Sequence, residues 1–505
     1  MARTRSPVRR WDRRCTPGWD TRDAAESRAL QDAMLSRFIT EQVYPFHPYY
    51  HELFDREGID PASVRSVADL QRLPFTYKED IAPHTQDPEN PRRFVLDPGL
   101  ALGRASTVRG WTPLPNPGAG GDPQEQSERY QPVFPMFTTG TTAEPTPFFF
   151  TLYDLERMKE AGRRLASVTS SKAGEDYDRR VVAVNNFPGS AHLAHWVALT
   201  GAEGAAITTF NTGGGPTMGR ERVLNIVERV RPTLFMGLPG YTYDLFKTAV
   251  AEGRDLSSIE VVAMGGDRVT PMAREKIAGL LEETGALDPV VTAAFGCTEM
   301  KYAWGDCGDW ESRGYHTYPD MEIIEVVDPE TGAVLGEGET GELVVTNLDA
   351  RGSVVLRYRT GDILVGGYST ERCPACGRTV PRISSQTYRR PHARQFNLAK
   401  VKGNLVDLNT FVSVLDNNVD VLEWVVEIRN RNDDPADVDE VWVYVCPTSV
   451  GEVSGLRERI VEDLRNSLEL TPDRVIVMSY EKMADQLVSS GDRMMTRVID
   501  LRLPE

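Results

Sequence analysis

The middle of the chain, from about residue 150 to residue 300, alternates short β-branched runs with amphipathic stretches. The β-branched runs are RRVVAVNNF, GAAITTFNT, PTLFMGLP, IEVVAMGGD and PVVTAAFG. Stretches with helical spacing, such as MGRERVLNIVERV and MAREKIAGLLEETG, lie between them. Strands that alternate with helices indicate βαβ units, which form a mainly parallel sheet covered by helices. We therefore predict an α/β fold for this part of the chain.

The pattern changes after about residue 320. MEIIEVVDPETGAVLGEGETGELVVTNL is typical of antiparallel strands joined by glycine-containing turns. Further on, VLEWVVEIRN, EVWVYVCPT and RVIVMSYEKM favour strands, TFVSVLDN and GLRERIVEDLRNSL favour helices, and the polar QTYRRPHARQ before them is a candidate linker. We predict a large N-terminal domain, residues 1–393, of βαβ units plus an antiparallel β subdomain. Residues 394–505 form a small, mobile α+β domain.

Composition excludes several classes of partner. The formal net charge of −17 argues against a nucleic-acid binder, because such proteins usually carry a basic face. No apolar run reaches the roughly 18 residues that a membrane-spanning helix needs. Six cysteines in 505 residues do not make a disulfide scaffold, so we expect a cytoplasmic protein. The arginine-rich leader, residues 1–25, is followed by no apolar segment and is predicted to be frayed and disordered.

The stretch FTTGTTAEPTPFFFT, residues 137–151, contains a loop of threonine and glycine. It lacks the lysine of a Walker A loop and the three spaced glycines of a dinucleotide fingerprint. Its backbone N–H groups, hydroxyls and glycine pivot are still parts that can wrap a triphosphate. An ordinary solvent loop is the alternative that this stretch alone leaves open. The candidate phosphate-binding residues are Thr138, Thr139, Gly140, Thr141 and Thr142.

An ordered series of motifs accompanies this loop. AFGCTEM at 294–300 is followed by GELVVTNL at 341–348, LRYRTGDIL at 356–364 and KVKGNLVDL at 400–408. From about residue 30 onward, the chain resembles the adenylate-forming ligase superfamily of acyl-CoA synthetases, peptide-synthetase adenylation domains and luciferases. TTGTTAEPT, PTLFMGLPGYTYDL, EIIEVVDPETG, CPACGRTVPRI and RVIDLR resemble the phenylacetate–coenzyme A ligase branch in particular.

The resemblance implies roles for individual residues in binding ATP and Mg²⁺. The threonine loop would hold the β- and γ-phosphates, Thr298 would touch the α-phosphate, Glu299 would bind Mg²⁺, and Asp362 would accept hydrogen bonds from the ribose. An ordinary turn residue is the alternative for Asp362, and a solvated loop acid for Glu299. The remaining candidate nucleotide-binding residues are Gly265, Gly266, Asp267, Phe295, Gly296 and Arg382.

The acid pocket is expected, by the same resemblance, between the end of NNFPGSAHLAHW and the loop GLPGYTYDL. Aromatic walls favour a flat aryl acid. Each of these side chains could equally be part of the core. The candidates are His195, Trp196, Gly240, Tyr241, Ala263 and Met264.

The cysteines of CPACGRT form a C-x-x-C turn followed by glycine, which is typical of a zinc knuckle. The resemblance implies two further ligands in the region before the MEIIEVVD strand. Cys307, His316, Cys373 and Cys376 would then complete a closed, structural Cys₃His zinc site. A two-cysteine hairpin without metal remains the alternative.

The chain also departs from the family pattern. Ala143 replaces a glycine of the phosphate loop, and Phe396 stands where the hinge acid is usual, which puts the second half-reaction in doubt. The family's C-terminal lysine is missing, because SSGDRMMTRVIDLR places Met494 or Asp492 at its position. We predict that Arg493 supplies this charge, with Lys301 as an alternative. Two other accounts stay open: a substrate small or reactive enough to make the lysine dispensable, or a C-terminal domain that has lost its catalytic role.

Taken together, these motifs predict an AMP-forming ligase that activates a benzoate- or phenylacetate-like acid, in a natural-product pathway. The acceptor would be coenzyme A, a carrier-protein thiol, or an amine or hydroxyl. One alternative is the activation of nitrite to diazotise an arylamine, and another is a degenerate ligase that acts as a nucleotide-binding partner. A homodimer is compatible with the sequence.

Overall fold

The computed structural model describes most of the chain. The described residues are 10–84, 87–98, 129–138, 145–174, 177–189, 191–267, 269, 271–308, 314–389, 398–401, 404–407, 411, 414–415, 418, 420–430, 439–447, 455–468, 470–480, 482–483 and 497–501. They divide between two compact units: the first comprises residues 1–238, 253–266 and 281–387, and the second 239–252, 267–280 and 388–505. The predicted boundary between residues 393 and 394 lies outside the described residues.

The longer helices in the described ranges number eight. They are α1 (Ala24–Phe38), α2 (Pro48–Glu57), α3 (Leu152–Thr169), α4 (Leu193–Gly204), α5 (Arg220–Val230), α6 (Pro239–Glu252), α7 (Pro271–Glu283) and α8 (Leu456–Leu468). Shorter helical turns cover Asp12–Arg14, Ile39–Val43, Tyr44–Phe46, Pro61–Ser63, Val67–Arg72, Lys78–Ile81, Asn90–Phe94, Tyr177–Arg180 and Gly215–Met218. None of the described helices is both long and apolar enough to cross a membrane.

The strands run through both units. They are β1 (Pro132–Phe137), β2 (Pro147–Thr151), β3 (Val182–Asn185), β4 (Thr208–Asn211), β5 (Leu234–Gly237), β6 (Val261–Gly265), β7 (Val290–Cys297), β8 (Tyr302–Gly305), β9 (Gly314–His316), β10 (Glu322–Val327), β11 (Gly341–Asn347), β12 (Tyr358–Leu364), β13 (Tyr368–Ser369), β14 (Arg382–Ser384), β15 (Thr387–Arg389), β16 (Leu398–Val401), β17 (Asn404–Asp407), β18 (Val421–Asn430), β19 (Asp439–Pro447), β20 (Arg474–Val477) and β21 (Val498–Asp500).

A nine-stranded sheet is the centre of the first unit, with the order β13-β14-β9-β8-β7-β6-β5-β3-β4. Strands β4, β3, β5, β6 and β7 are parallel, whereas β8, β9, β14 and β13 continue the sheet with antiparallel pairs. The predicted alternation of strands and helices is therefore confirmed. Because parallel strands end at the same edge of the sheet, the residues that follow β3, β5, β6 and β7 are brought to one edge, where open α/β sheets bind ligands.

Helices α3 and α4 approach each other closely in the first unit. A Cβ added at Gly162 would lie 2.1 Å from the Cα of Gly201, so a side chain at either position would push the two backbones apart. The apolar side of α4 packs with strand residues in a buried cluster that includes Ala198, Ala202 and Met236. This packing fixes α4, which carries two of the predicted acid-pocket residues.

The smaller sheets match the antiparallel prediction. Strands β10, β11 and β12 lie in the order β10-β11-β12-β15, with Glu322 opposite Asn347. Strands β1 and β2 form a hairpin, with Phe137 opposite Pro147.

The second unit contains an α+β element. Its sheet has the order β20-β19-β18-β21, and α8 buries Ile460 and Leu464 in the same apolar cluster as Trp424 and Val443. The predicted strands and the predicted helix GLRERIVEDLRNSL are present. The predicted helix TFVSVLDN falls mostly outside the described residues.

The leader prediction is wrong for residues 10–25. Trp11 and Trp19 are almost fully buried, and the Trp19 ring lies edge-on to Tyr318 with a centroid distance of 5.9 Å. The Arg164 guanidinium lies over the ring of Trp19, 5.2 Å from its centroid. Composition suggested a frayed leader because no apolar segment follows its arginines, but two tryptophans bury enough apolar surface to fix residues 10–25.

Candidate functional site

The turn after β7 carries the predicted magnesium ligand. Strand β7 ends at Cys297, and Glu299 follows in the tight connection to β8, with only 8% of its surface exposed. The Cys297 thiol donates a hydrogen bond to Glu299 Oε2 at 3.0 Å, and the Asn347 side-chain amide donates to the Glu299 carbonyl at 3.1 Å. The carboxylate is therefore held by its surroundings, which excludes the solvated loop acid considered as an alternative.

Two predicted nucleotide-binding carboxylates act on the same thiol. Burial raises the pKa of Cys297 well above its ordinary value, and the negative charges of Glu299 and Asp362 raise that pKa further. Asp362 lies on β12, half-buried, and its backbone N–H donates to the Thr360 hydroxyl at 3.1 Å. Glu299 and Asp362, which are 63 positions apart in the sequence, therefore both raise the pKa of one buried thiol.

The threonine loop is described only at its base. Thr138 follows β1 and is buried, and its N–H donates to the Thr146 carbonyl at 3.1 Å. The β1–β2 hairpin therefore closes the loop. Thr139, Gly140, Thr141 and Thr142 lie outside the described residues.

Two glycines end β6 at the carboxyl edge of the large sheet. A Cβ at Gly265 would lie 3.0 Å from the Ala294 carbonyl oxygen, and a Cβ at Gly266 would lie 2.9 Å from Leu238. Gly266 also has a φ of +80°, which favours glycine. Both positions therefore require glycine for packing within the fold, and the adenine contact stays a prediction. The neighbouring predicted residue Asp267 belongs to the second unit.

An aromatic stack lies behind the β7 edge. The ring of Phe295 stacks on Trp304 and Tyr315, with centroid distances of 5.9 and 5.8 Å. Gly296 is exposed beside it, and a Cβ there would contact Ala303 and Leu193 at 3.3 Å. Phe295 therefore has a structural role whether or not a nucleotide also contacts it.

The candidates for the acid pocket divide into two groups. Trp196 on α4 packs edge-on against Phe134 at 4.6 Å, and Ala263 on β6 is half-buried. His195 and Met264 are buried, and His195 Nδ1 lies 3.2 Å from the Phe187 carbonyl oxygen and 3.5 Å from the Asn185 amide. These two side chains belong to the core. The last two candidates, Gly240 and Tyr241, lie near the start of α6 in the second unit.

The structure brings the four predicted zinc ligands together. The ligand atoms of Cys307, His316, Cys373 and Cys376 all lie within 4.8 Å of one another, and all four residues are buried. Cys307 follows β8, His316 ends β9, and both knuckle cysteines lie in the connection from β13 to β14. The cluster therefore forms where consecutive antiparallel strands of the large sheet meet.

The distances in this cluster fit a tetrahedral metal. Cys307 Sγ and Cys373 Sγ are 3.9 Å apart, and Cys376 Sγ is 3.3 Å from His316 Nε2. Two thiolates on one Zn²⁺ are about 3.8 Å apart, whereas a disulfide requires about 2.05 Å. His316 Nδ1 lies 3.3 Å from the Gly305 carbonyl, so its N–H can donate there and leave Nε2 for the metal.

Two predicted cationic residues lie in different settings. Arg382 lies on β14 opposite His316, and its Nη2 donates to the Glu371 carbonyl at 3.2 Å. This position is beside the cysteine cluster. Arg493 lies outside the described residues.

The sequence motifs did not reveal the partners of the Glu299 turn. Cys297 and Asn347 lie inside the quoted motifs, but their bonds to Glu299 depend on the folded geometry. Lys301 forms a buried ion pair with Asp154, 2.9 Å away. The available signal for Asp154 was the spacing Thr151-x-x-Asp154, which predicts a capping box at the start of α3.

Comparison with protein families gives one match over most of the chain. The family described as AMP-binding enzyme matches residues 29–350. The chain is 28% identical to the phenylacetate-coenzyme A ligase of Thermus thermophilus, over 73% of this chain and 71% of the relative. It is 25% identical to the phenylacetate-coenzyme A ligase of Aromatoleum evansii, over 88% of each chain.

Comparison with solved structures gives the same architecture. A 2-hydroxyisobutyryl-CoA ligase, solved in the postadenylation state with an acyl adenylate, aligns with a TM-score of 0.64. The alignment covers 96% of this chain and 91% of that chain at 20% sequence identity, a level at which the likeness concerns the fold.

Proposed function

The chain belongs to the AMP-binding enzyme family, within its phenylacetate–coenzyme A ligase branch, and from this premise we propose that it activates an aromatic carboxylic acid. The general activity is that of an ATP-dependent, AMP-forming acid ligase, which converts a carboxylic acid into an acyl adenylate. The aromatic substrate is supported by the relatives, which are named for phenylacetate, and by the Trp196–Phe134 pair.

In the proposed reaction, a carboxylate oxygen of the acid attacks the α-phosphorus of MgATP. The bond between the α-phosphorus and the bridging oxygen breaks, pyrophosphate leaves with that bond's electron pair, and the acyl adenylate remains. Such a reaction depends mainly on positioning and on stabilising charge in the transition state. Glu299 would hold Mg²⁺, Thr298 would contact the α-phosphate, and Asp362 would hold the ribose. The observation that supports these roles best is the buried Glu299 carboxylate, which follows β7 and accepts a hydrogen bond from the Cys297 thiol.

The second half-reaction is proposed to use coenzyme A. The names of the relatives support this acceptor. A carrier-protein thiol and an amine or hydroxyl acceptor remain alternatives, because Phe396 stands where the family has its hinge acid. Adding each acceptor to purified acyl adenylate and enzyme, with product analysis by mass spectrometry, separates the three.

We also propose that Cys307, His316, Cys373 and Cys376 hold a structural Zn²⁺. Four protein ligands leave no position for water or substrate, so the ion would stabilise the fold and take no part in the reaction. Three thiolates and Zn²⁺ give a net negative charge. Buried Arg378, whose backbone carbonyl accepts from the Cys373 N–H at 2.8 Å, is a cation close to it.

Acid-dependent pyrophosphate release tests the proposed substrate class. Benzoates, phenylacetates and aminobenzoates should support release with ATP and Mg²⁺, and aliphatic acids of similar size should not. Release with nitrite but with none of the carboxylates would instead favour the diazotisation alternative, which the missing C-terminal lysine makes worth testing. An absence of release with every acid would support a degenerate, nucleotide-binding role.

A further inference from the structure

A buried ion pair joins the Glu299 turn to the start of α3. Lys301 Nζ lies 2.9 Å from Asp154 Oδ2, and the two side chains are 4% and 1% exposed. The ammonium group also lies 5.3 Å from the centroid of the Phe150 ring. Burial lowers the pKa of Lys301 below its ordinary value, and the negative charge of Asp154 opposes this shift. The ammonium group is thus paired with Asp154 inside the fold, which argues against the prediction that Lys301 replaces the family's missing lysine at the α-phosphate.

Lys301 is tied directly to the turn that carries Glu299. Its φ of +72° is unusual for a residue with a side chain, and its N–H is shared between the carbonyls of Cys297 and Thr298, at 3.1 and 3.2 Å. A non-glycine residue in this conformation costs free energy and persists where its surroundings fix it. The ion pair is such a constraint, since it fixes the side chain that leaves the turn.

Asp154 is tied to the strand that leaves the phosphate loop. Its Oδ2 accepts from the N–H and the hydroxyl of Thr151, the last residue of β2, at 3.0 and 3.1 Å. The Asp154 carboxylate also accepts from the N–H groups of Arg351 and Gly352, at 3.0 and 2.7 Å. Burial would raise the pKa of Asp154, but Lys301 and the backbone donors hold it below its ordinary value. The carboxylate is therefore charged, and it connects the end of β2, residues 351–352 and Lys301.

We propose that the Asp154–Lys301 pair is a positioning device, which sets the distance between the Glu299 turn and β2, the strand that follows the threonine loop. The loop would hold the β- and γ-phosphates and Glu299 their metal ion, so the pair would align MgATP for attack on the α-phosphorus. This inference rests on the proposed function of the site. Both side chains are buried in the fold, so they would act on the reaction through the groups that they position. A displacement of about 1 Å between such groups can cost about a hundred-fold in rate.

A second buried ion pair provides a matched control. Arg357 and Glu325 are 3.0 Å apart and 5% and 6% exposed, close to the values for Lys301 and Asp154. Arg357 also donates to the Leu73 carbonyl at 2.8 Å. Breaking either pair leaves an uncompensated buried charge and should destabilise the protein similarly. Glu325→Gln therefore measures what loss of stability alone does to binding and rate.

The experiment compares Asp154→Asn with Glu325→Gln in the full-length protein. Calorimetry would measure the Kd for MgATP and for AMP, and ATP–pyrophosphate exchange would measure the rate. AMP lacks the β- and γ-phosphates, so a positioning role raises the Kd for MgATP about ten-fold and leaves that for AMP within about two-fold. The rate of ATP–pyrophosphate exchange of Asp154→Asn should fall about a hundred-fold. Glu325→Gln should leave both Kd values and the exchange rate, each counted per folded molecule, within about two-fold of wild type.

The double variant Asp154→Asn with Lys301→Met covers the case in which a single variant does not fold. It removes both charges, so it should regain thermal stability but not affinity for MgATP. Recovery of affinity together with stability would overturn the proposal, as would equal loss of AMP and MgATP binding. If wild type shows no exchange with any acid, the proposed function fails, yet the two Kd values still decide whether the pair positions the triphosphate.

Discussion

At the residue scale, Glu299 is the side chain on which the proposed reaction would depend most. Its carboxylate is buried, accepts a hydrogen bond from the Cys297 thiol, and follows the β7 edge at which open α/β sheets bind ligands. A carboxylate held in this way supplies the hard oxygen ligand that Mg²⁺ prefers. The negative charge of Glu299 should therefore affect magnesium-dependent activity more than the shape of its side chain does.

Glu299→Gln tests this charge, because it keeps the shape of the side chain and removes the negative charge. We expect magnesium-dependent pyrophosphate release to fall at least about a hundred-fold, since the metal no longer offsets the triphosphate charge. Affinity for AMP should change little. The control is Glu325→Gln, another buried glutamate. Wild-type turnover in Glu299→Gln would show that the metal is held elsewhere.

Motif spacing could predict Glu299 and Asp362 as site residues, because each lies in a short local pattern. It could not predict the Asp154–Lys301 pair. The capping box at the start of α3 is a sufficient local reason for an aspartate at position 154. Nothing in the sequence around Lys301 indicates that its partner is Asp154. Contacts between distant segments depend on how the strands pair, and local sequence patterns do not reveal that pairing.

At the element scale, the Cys₃His cluster depends on the pairing of strands. The C-x-x-C spacing predicts a turn with two ligands, and this much is local. The other two ligands reach the turn because β8 pairs with β9 and β9 with β14. The resemblance could therefore identify the four residues as candidate ligands. Their closeness to one another follows from the way in which the strands of the large sheet pair.

Removal of one zinc ligand should weaken this part of the fold. The purified protein should contain about one zinc per chain, and Cys373→Ser should lose the ion and lower the Tm, because metal binding is coupled to folding. Cys446→Ser is the control, as Cys446 is also buried but lies on β19 in the second unit. Elemental analysis that finds no zinc in wild type purified without chelator would contradict this expectation.

The start of β10 contains a buried carboxylate that should make stability depend on pH. Glu322 accepts hydrogen bonds from Tyr302, Trp304 and the Tyr318 backbone, and burial raises its pKa from an ordinary value near 4.5 to about 8. The folded state then binds a proton more tightly than the unfolded state between these two pKa values. Stability should therefore fall as the pH rises through this window.

Chemical denaturation of wild type and Glu322→Gln tests that sign. Relative to the variant, the free energy of unfolding of wild type should decrease between pH 5 and pH 8, by at most about 1.4 kcal/mol per pH unit. The glutamine cannot titrate, so it isolates this one group. Parallel pH profiles for the two proteins would mean that Glu322 keeps the same charge across the window.

At the scale of the whole molecule, the sequence could predict the α/β class because long alternating patterns are its strongest signal. It failed for residues 10–25 of the leader, where the burial of Trp11 and Trp19 fixes an arginine-rich segment. The second unit combines residues 388–505 with 239–252 and 267–280, and sequence patterns contain no signal for such a grouping. Which parts of the chain group together in space follows from tertiary packing.

The C-terminal residues should contribute to adenylation even though the family's lysine is missing. We expect Arg493→Ala to lower kcat more than it raises the KM for ATP, as for a contact made mainly in the transition state. Deletion of residues 394–505 should cost more activity than Arg493→Ala. Arg459→Ala, on an exposed arginine of α8, is the control. A truncated chain that forms adenylate at the full rate would contradict this role.

The central claim is that an oxygen of the acid attacks the α-phosphorus of ATP, and an isotope measurement tests it most directly. The enzyme would be supplied with the best acid of the panel, labelled with oxygen-18 in its carboxylate, together with ATP, Mg²⁺ and an acceptor. Mass spectrometry should find one labelled oxygen in the phosphate of AMP and none in pyrophosphate. Label in pyrophosphate or in inorganic phosphate, or formation of ADP in place of AMP, would contradict the claim.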